Sequence, residues 1–353
     1  MYSDDDINSA VGAGIFSPET ATAFREHVAN LKHSSSADEE RFRLITGFND
    51  IFVVIACGLL LISANFIASS VGVGFGPLVV AVTAWGLSEF FIRQRRMALP
   101  AIVLMFCFVW GAATTAFEWL PFIGLSNDLS VFGDGVFQDL ALYVALNVAL
   151  TCVVAGVSAW LHWLRFSVPI TIAAITASVV ALVLSLILGF FPDSYGLLLV
   201  MLLLSGLSVF AFALYWDFSD QQRETRRADV AFWLHLLAAP LMVHPVFALL
   251  GAFSGDSSSA QSAIIIGVYL LIGLVSLAID RRALMVSALG YVIYALSTLF
   301  SHHGNISMGF ATTALLIGAA LLLLSAFWNP CRKVALALLP SSVKAHLAPV
   351  RVN

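Results

Sequence analysis

The seventeen Lys and Arg residues of this 353-residue chain fall into clusters separated by apolar stretches, each long enough to cross a bilayer twice. They stand at 25, 32, 41 and 43, at 93, 95 and 96, at 165, at 223, 226 and 227, at 281 and 282, and at 332, 333, 344 and 351. A crossing needs about 20 apolar residues to traverse roughly 30 Å of hydrocarbon. Ten crossings return every cluster to the same face: 49–69, 75–93, 98–117, 138–160, 168–190, 195–216, 229–251, 261–279, 283–301 and 307–328. The positive-inside rule makes that face cytoplasmic, with both termini on it. The fold class expected is all-α, a polytopic helical bundle in the cell (inner) membrane.

Charge and cysteine usage support this reading. Charged residues make up 11% of the chain and apolar ones 60%, whereas a soluble domain carries about 25% charged residues. The threading puts Glu118, Asp128, Asp134, Asp139, Asp193 and Asp256 outside with no base, and leaves the inner face nearly neutral. Such a face offers no polybasic surface, so nucleic-acid binding is not expected. Cys57, Cys107 and Cys152 fall inside apolar runs and Cys331 follows the last, so no disulfide is expected. The acidic start, Met-Tyr-Ser-Asp-Asp-Asp, lacks the basic region of a cleaved signal.

Three segments follow: 1–36 as a cytosolic amphipathic helical segment, 37–330 as the ten-span domain, and 331–353 as a cytosolic tail. In the first, Ser3 caps a run opened by three Asp, and Ser17-Pro18-Glu19 supplies an N-cap, a first-turn proline and an acid facing the helix dipole. Phe24, Val28 and Leu31 then recur at helical spacing, a stripe for packing against the first helix, for the membrane surface or for a protein partner. Ser36 and Glu39 form a capping-box pattern.

The segment Gly14-Ile15-Phe16-Ser17-Pro18-Glu19-Thr20-Ala21, followed by a short helix, a basic juxtamembrane stretch and many spans, resembles the start of bacterial predicted membrane proteins of the domain of unknown function 2157 type. Pro18 and Thr20 depart from that pattern, which has Glu-Gln-Ala. The resemblance covers about the first seventy residues. It implies a multi-pass membrane protein and brings no activity or functional residues with it.

Anchor residues recur in order. Asp50 opens span one and Asp229 span seven; Arg95-Arg96 follows span two and Arg281-Arg282 span eight; Ser158-Ala159-Trp160 precedes Arg165 as Ser325-Ala326-Phe327 precedes Arg332. These predict a parallel repeat of spans 1–4 in spans 7–10, with five and six inserted.

An ionisable group inside a span costs about 2.5–3.5 kcal/mol at the helix centre, so each asks for a reason. Span seven carries the densest set: His235, His244, Pro240 and Pro245, with Asp229 at its entrance. Asp229 and His235 are six residues apart, about 120° around a helix, so any carboxylate for His235 comes from another helix. One reading makes this a broken, proton- or substrate-handling helix. The other makes each His an interhelical hydrogen-bond donor and each Pro a packing kink. Asn65 and Asn147 are similar, since polar contacts between spans average only about 0.6 kcal/mol and serve as glue. Asp50 and Glu89 sit at the depth of Arg93 and Arg95, where interfacial ion pairs are the expectation, with Glu89 and Arg93 in the favoured i,i+4 order. His302-His303 lacks a nearby Cys or carboxylate, so no metal site is expected.

The glycines of Val71-Gly-Val-Gly-Phe-Gly-Pro77 fall in an outer turn rather than after a strand, and HExxH, a supported GxSxG and CxxC are missing. No cofactor, catalytic set or ATP-driven mechanism is therefore expected, and the chain does not read as an enzyme. Two function classes stand: a secondary transporter or channel for a small solute or ion, and a non-transporting scaffold or sensor acting through its N-terminal helices.

Overall fold

A computed structural model of the chain describes residues 4–24, 48–119, 136–221, 223, 225–251, 259–282, 285–289, 292–293, 306–337, 339–340 and 347. Secondary structure among them is helical throughout. The chain divides into two units, 1–43 with 351–353, and 44–350; the boundary expected at 36/37 lies outside the described residues.

The first unit contains α1, Asp4–Gly12, and α2, residues 18–24. Ser17 caps α2 as its position predicts: its Oγ accepts from the Thr20 N–H at 3.1 Å. Ile7 and Ala21 are buried, while Ile15, Phe16 and Phe24 are exposed. The expected caps at Ser3 and at Ser36–Glu39, and Val28 and Leu31 of the stripe, lie outside the described residues.

The second unit runs α3 (Phe48–Ser69), α4 (Phe75–Ser88) prolonged by a π-helical turn (Glu89–Gln94), α5 (Ala98–Trp119), α6 (Val136–Phe166), α7 (Ile170–Phe190), α8 (Tyr195–Phe218), α9 (Arg226–Leu249), α10 (Ser259–Ile279), α11 (Ile306–Ala326) and α12 (Trp328–Ala337). Pro77, Pro100 and Pro330 stand in first turns, where the backbone N–H they lack would have no partner in the helix. Seven of these helices, α3 to α9, are long and apolar enough to cross a membrane, or eight if α11 and α12 form one bent span. The ten crossings expected are met only in part. The apolar run of α10, Ala263–Ile279, is a shorter helix. Span nine lies mostly outside the described residues. Span ten turns by 81° before Trp328, so that α12 crosses the boundary expected at 330/331.

Side chains link the helices in sequence order. Cys57 and Leu61 of α3 pack with Val80 and Ala84 of α4 and Leu104 of α5. Ala101 and Met105 of α5 meet Phe166 of α6, Ile170 of α7 and Trp233 of α9. Ala173 of α7 meets Val209 and Ala213 of α8 and Val230 and Leu234 of α9. The last two clusters bring the end of α4, the start of α5, the end of α6, the start of α7, the end of α8 and the start of α9 to one level. Arg95, Arg96, Arg165 and Arg223 therefore share one end of the bundle, and the ion pairs described below add Arg281 and Arg332 to it. This is the grouping on which the threading rested.

The turns differ between the two ends. At the basic end the chain reverses through non-glycine residues in the left-handed region: Arg96 (φ 52°), Ser167 (52°), Arg223 (56°) and Asp280 (58°). At the opposite end the left-handed positions are Gly74 (φ 83°) and Gly251 (73°). A non-glycine residue there costs roughly 1–2 kcal/mol; at Arg223 and Asp280 the contacts described next offset it.

Candidate functional site

α9 is the most enclosed of the spanning helices: half of its apolar window is buried, against 11% for α3. His235 faces inward with no exposure, and its Nε2 lies 2.7 Å from Oδ2 of Asp217, in the last turn of α8. Arg281, just past the end of α10, donates from Nη2 to Oδ1 of the same carboxylate at 2.5 Å, from Nε to Oδ2 at 3.4 Å and from Nη2 to the Ala228 carbonyl at 3.3 Å. Its own carbonyl accepts from the Ser276 hydroxyl. One carboxylate thus bridges a histidine and an arginine brought by three separate stretches of chain. Asp217 is 14% exposed and Arg281 3%. A space of about 10 Å³ opens beside Asp217, Asp220, Gln221 and Arg223, room for one water molecule.

A second carboxylate adjoins the first. Asp280 accepts from Arg223 Nη1 at 3.0 Å and from the Trp328 indole at 2.7 Å, with Arg332 Nη1 at 3.8 Å. Arg223 also donates to the carbonyls of Ile279 (3.2 Å) and Asp280 (3.3 Å). The Arg282 guanidinium lies 4.7 Å above the Trp328 ring. The left-handed conformation at Asp280 and Arg223 aims these side chains at each other, and α12 is held by its first residue and by Arg332. Burial alone would raise the Asp280 carboxyl; Arg223, Arg332 and the Trp328 N–H outweigh it and hold it below the usual carboxylate range. A carboxyl lowered on folding adds stability above its unfolded value near 3.9, and that stability is lost as pH falls through the lower folded value. The melting temperature of the wild type is therefore expected to fall more steeply than that of Asp280→Asn between about pH 5 and pH 2.

The site residues expected from sequence are dispersed. Asp229 is half-buried at the start of α9 and is not the carboxylate that meets His235. His244 is half-buried two and a half turns beyond His235. Pro240 is exposed and Pro245 buried, and α9 runs through both from Arg226 to Leu249. Asn65 (α3) and Asn147 (α6) keep buried amide oxygens with no partner among the described residues. Asp50 is buried. Glu89 makes the expected pair with Arg93 (3.2 Å) and a second with Arg165 of α6 (2.7 Å). His302-His303 lies outside the described residues. All four cysteines are free, and no group of three or more potential metal ligands occurs among the described residues.

Two residues of the site escaped sequence reasoning. Asp217 reads as the first charge of an ordinary inter-helix loop, and Arg281 as one of a basic pair setting orientation. A third buried group, His162, is corrected by helix length: the fourth span was expected to end at 160, but α6 continues to Phe166 and carries His162 inside, fully buried between Trp85, Phe108 and Phe166. Neither of its ring nitrogens has a partner among the described residues.

No family model, curated protein or solved structure matches this chain.

Proposed function

We propose that the chain is a proton-responsive secondary transporter or channel for a small solute or ion, set in the cell membrane with its basic end and both termini cytoplasmic. One observation carries this: a buried carboxylate shared between His235 and Arg281. With His235 neutral, Nε2–H donates to Asp217 and Nδ1 is left buried with no partner among the described residues. A second proton creates a buried Nδ1–H in a site whose neighbour is the Phe210 ring, 5.4 Å between centroids, and adds a cation beside Arg281 and Arg223. Asp217 then has to satisfy two cations, and the Nδ1–H needs a water or a new acceptor. Proton uptake accordingly favours a different packing of α8, α9 and the α10 end, which is how a titratable group drives a two-state element.

Two finer features belong to the same proposal. Spans 1–4 and 7–10 form a parallel repeat, supported by matching ties: the end of α4 is bound to the end of α6 through Glu89–Arg165, and the end of α10 to α12 through Asp280–Arg332. The resemblance of residues 14–21 to the start of the domain of unknown function 2157 type supports a multi-pass membrane protein of that kind.

The test is a reconstituted flux or conductance assay under an imposed pH gradient. His235→Ala is expected to abolish the pH dependence while the protein still purifies as a folded species, with stability lowered by about 1 kcal/mol. Flux with unchanged pH dependence would sink the proton role. Thiol accessibility checks the orientation: cysteines placed at Arg95 and Arg223 should react only from the cytoplasmic side, and one at Asn305 only from outside. The second reading, a scaffold or sensor without transport, is favoured by Ile15 and Phe16, exposed on the N-terminal unit; no flux under any gradient would select it.

A further inference from the structure

Three consecutive residues past the end of α10 reach two different parts of the molecule. Asp280 accepts from the Trp328 indole and faces Arg332. Arg281 is bound to Asp217. Arg282 lies over the Trp328 ring. Residues 280 and 282 thus hold the first turn of α12, while the residue between them holds the carboxylate that His235 shares. On α12 the buried side chains are Trp328, Arg332 and Ala335, one face at i, i+4 and i+7. Leu277 and Met285, on either side of the turn, complete the seat of that face.

The turn is tied so that it moves as one piece. The Ser276 carbonyl accepts from the Arg281 N–H at 3.0 Å, and the buried Ser276 hydroxyl donates to the Arg281 carbonyl. Arg223 crosses the same turn, donating to the Ile279 and Asp280 carbonyls and to the Asp280 carboxylate. The Arg281 guanidinium is buried and also holds the Ala228 carbonyl, and the adjoining space has room for one water only. It has nowhere to swing by itself, so displacing Arg281 displaces Asp280 and Arg282 with it.

We propose that the 280–282 turn transmits proton uptake at His235 to α12, which is docked when His235 is neutral and released when it is charged. The proposal rests on the proton-responsive reading of the cluster, not on flux. His235 faces Asp217 from α8, Arg223 from the following loop and Arg281 from the end of α10; α7, packed on the same part of α9, brings no ionisable residue. A charged His235 competes with Arg281 for Asp217, and the turn shifts with the arginine. Packed elements of this kind convert a small displacement into a change of state. Asp280 is not the responding group, because its partners hold its carboxyl below the usual carboxylate range and it stays ionised at mildly acidic pH.

Cys331, partly buried on α12 beside Arg332, is a built-in reporter. In the full chain with Cys57, Cys107 and Cys152 changed to Ala, its labelling by a maleimide is followed from about pH 8 to about pH 4.5. Each rate is divided by that of a free thiol in the same buffer. The ratio is expected to rise about ten-fold as pH falls. His235→Ala should keep it at the low value throughout, and Asp280→Asn at the high value throughout; Trp328→Phe, which removes the same indole bond, gives that second readout should the Asp280 variant fold poorly. A ratio that does not change with pH, or that changes equally in His235→Ala, would overturn the proposal. Melting temperatures separate the two levels. Wild type and His235→Ala diverging with pH while Cys331 labelling stays flat would overturn the transmission alone, and no change in either would overturn the underlying proton role as well.

Discussion

Asp217→Asn is expected to be the most damaging single substitution in the membrane domain, lowering stability by about 3–5 kcal/mol, because it leaves the Arg281 guanidinium buried without its carboxylate. The substituted amide still accepts a hydrogen bond from His235, so the loss is assigned to the arginine, which is 3% exposed. Neutral polar contacts between membrane helices average only about 0.6 kcal/mol. A change of that smaller size would mean that water already screens the pair. The second arm is Asp217→Asn combined with Arg281→Met. Removing both charges relieves the buried cation, so the double variant should recover most of what the single one lost. Unfolding midpoints in mixed micelles would measure both, and a double variant no better than the single one would refute the pairing as the source of the effect.

Gly206→Val is the other large expectation, and it acts through space rather than charge. A β-carbon at Gly206 would stand 2.7 Å from Met242 Cγ, 2.8 Å from the Leu241 carbonyl carbon and 2.9 Å from the Met242 nitrogen. Two of those atoms are backbone, so no rotamer change relieves the contact and α8 must move away from α9. Small residues at membrane helix crossings serve this close approach. Overpacking of this kind costs about 1–3 kcal/mol, more when the backbone has to shift. Because α8 carries Asp217 and α9 carries His235, the same substitution should weaken their contact. A variant with wild-type stability and unchanged pH dependence would show that the crossing is looser than the geometry implies.

The sequence conveyed the spanning helices because their signal is local: about twenty apolar residues form a helix in lipid whatever surrounds them. It also grouped Arg95, Arg96, Arg165, Arg223, Arg281 and Arg332 at one end, since charge placement is set by the same threading. The ends were harder. Apolar length cannot tell where a helix stops when Trp, His and Arg continue it, which is why α6 reaches Phe166 and carries His162 inward. The 81° turn before Trp328 goes with contacts of Trp328 and Arg332 to Asp280, about fifty residues earlier, which no local pattern announces. The site was half legible. His235 stood out as an ionisable group in an apolar run, and its six-residue offset from Asp229 required a partner from elsewhere. That the partner is Asp217 depends on how α8 and α9 lie side by side, and helical spacing does not encode that.

The Asp217–Arg281 contact joins residues 64 positions apart in the chain. At about 5–20 residues per second, the ribosome delivers the arginine roughly 3–13 s after the aspartate. Asp217 and His235, 18 residues apart, can meet first. The carboxylate's second partner arrives only with the end of α10, and Asp280 waits in turn for Trp328 and Arg332. A nascent chain arrested before Arg281 therefore carries an Asp217 that can have met His235 but not its arginine.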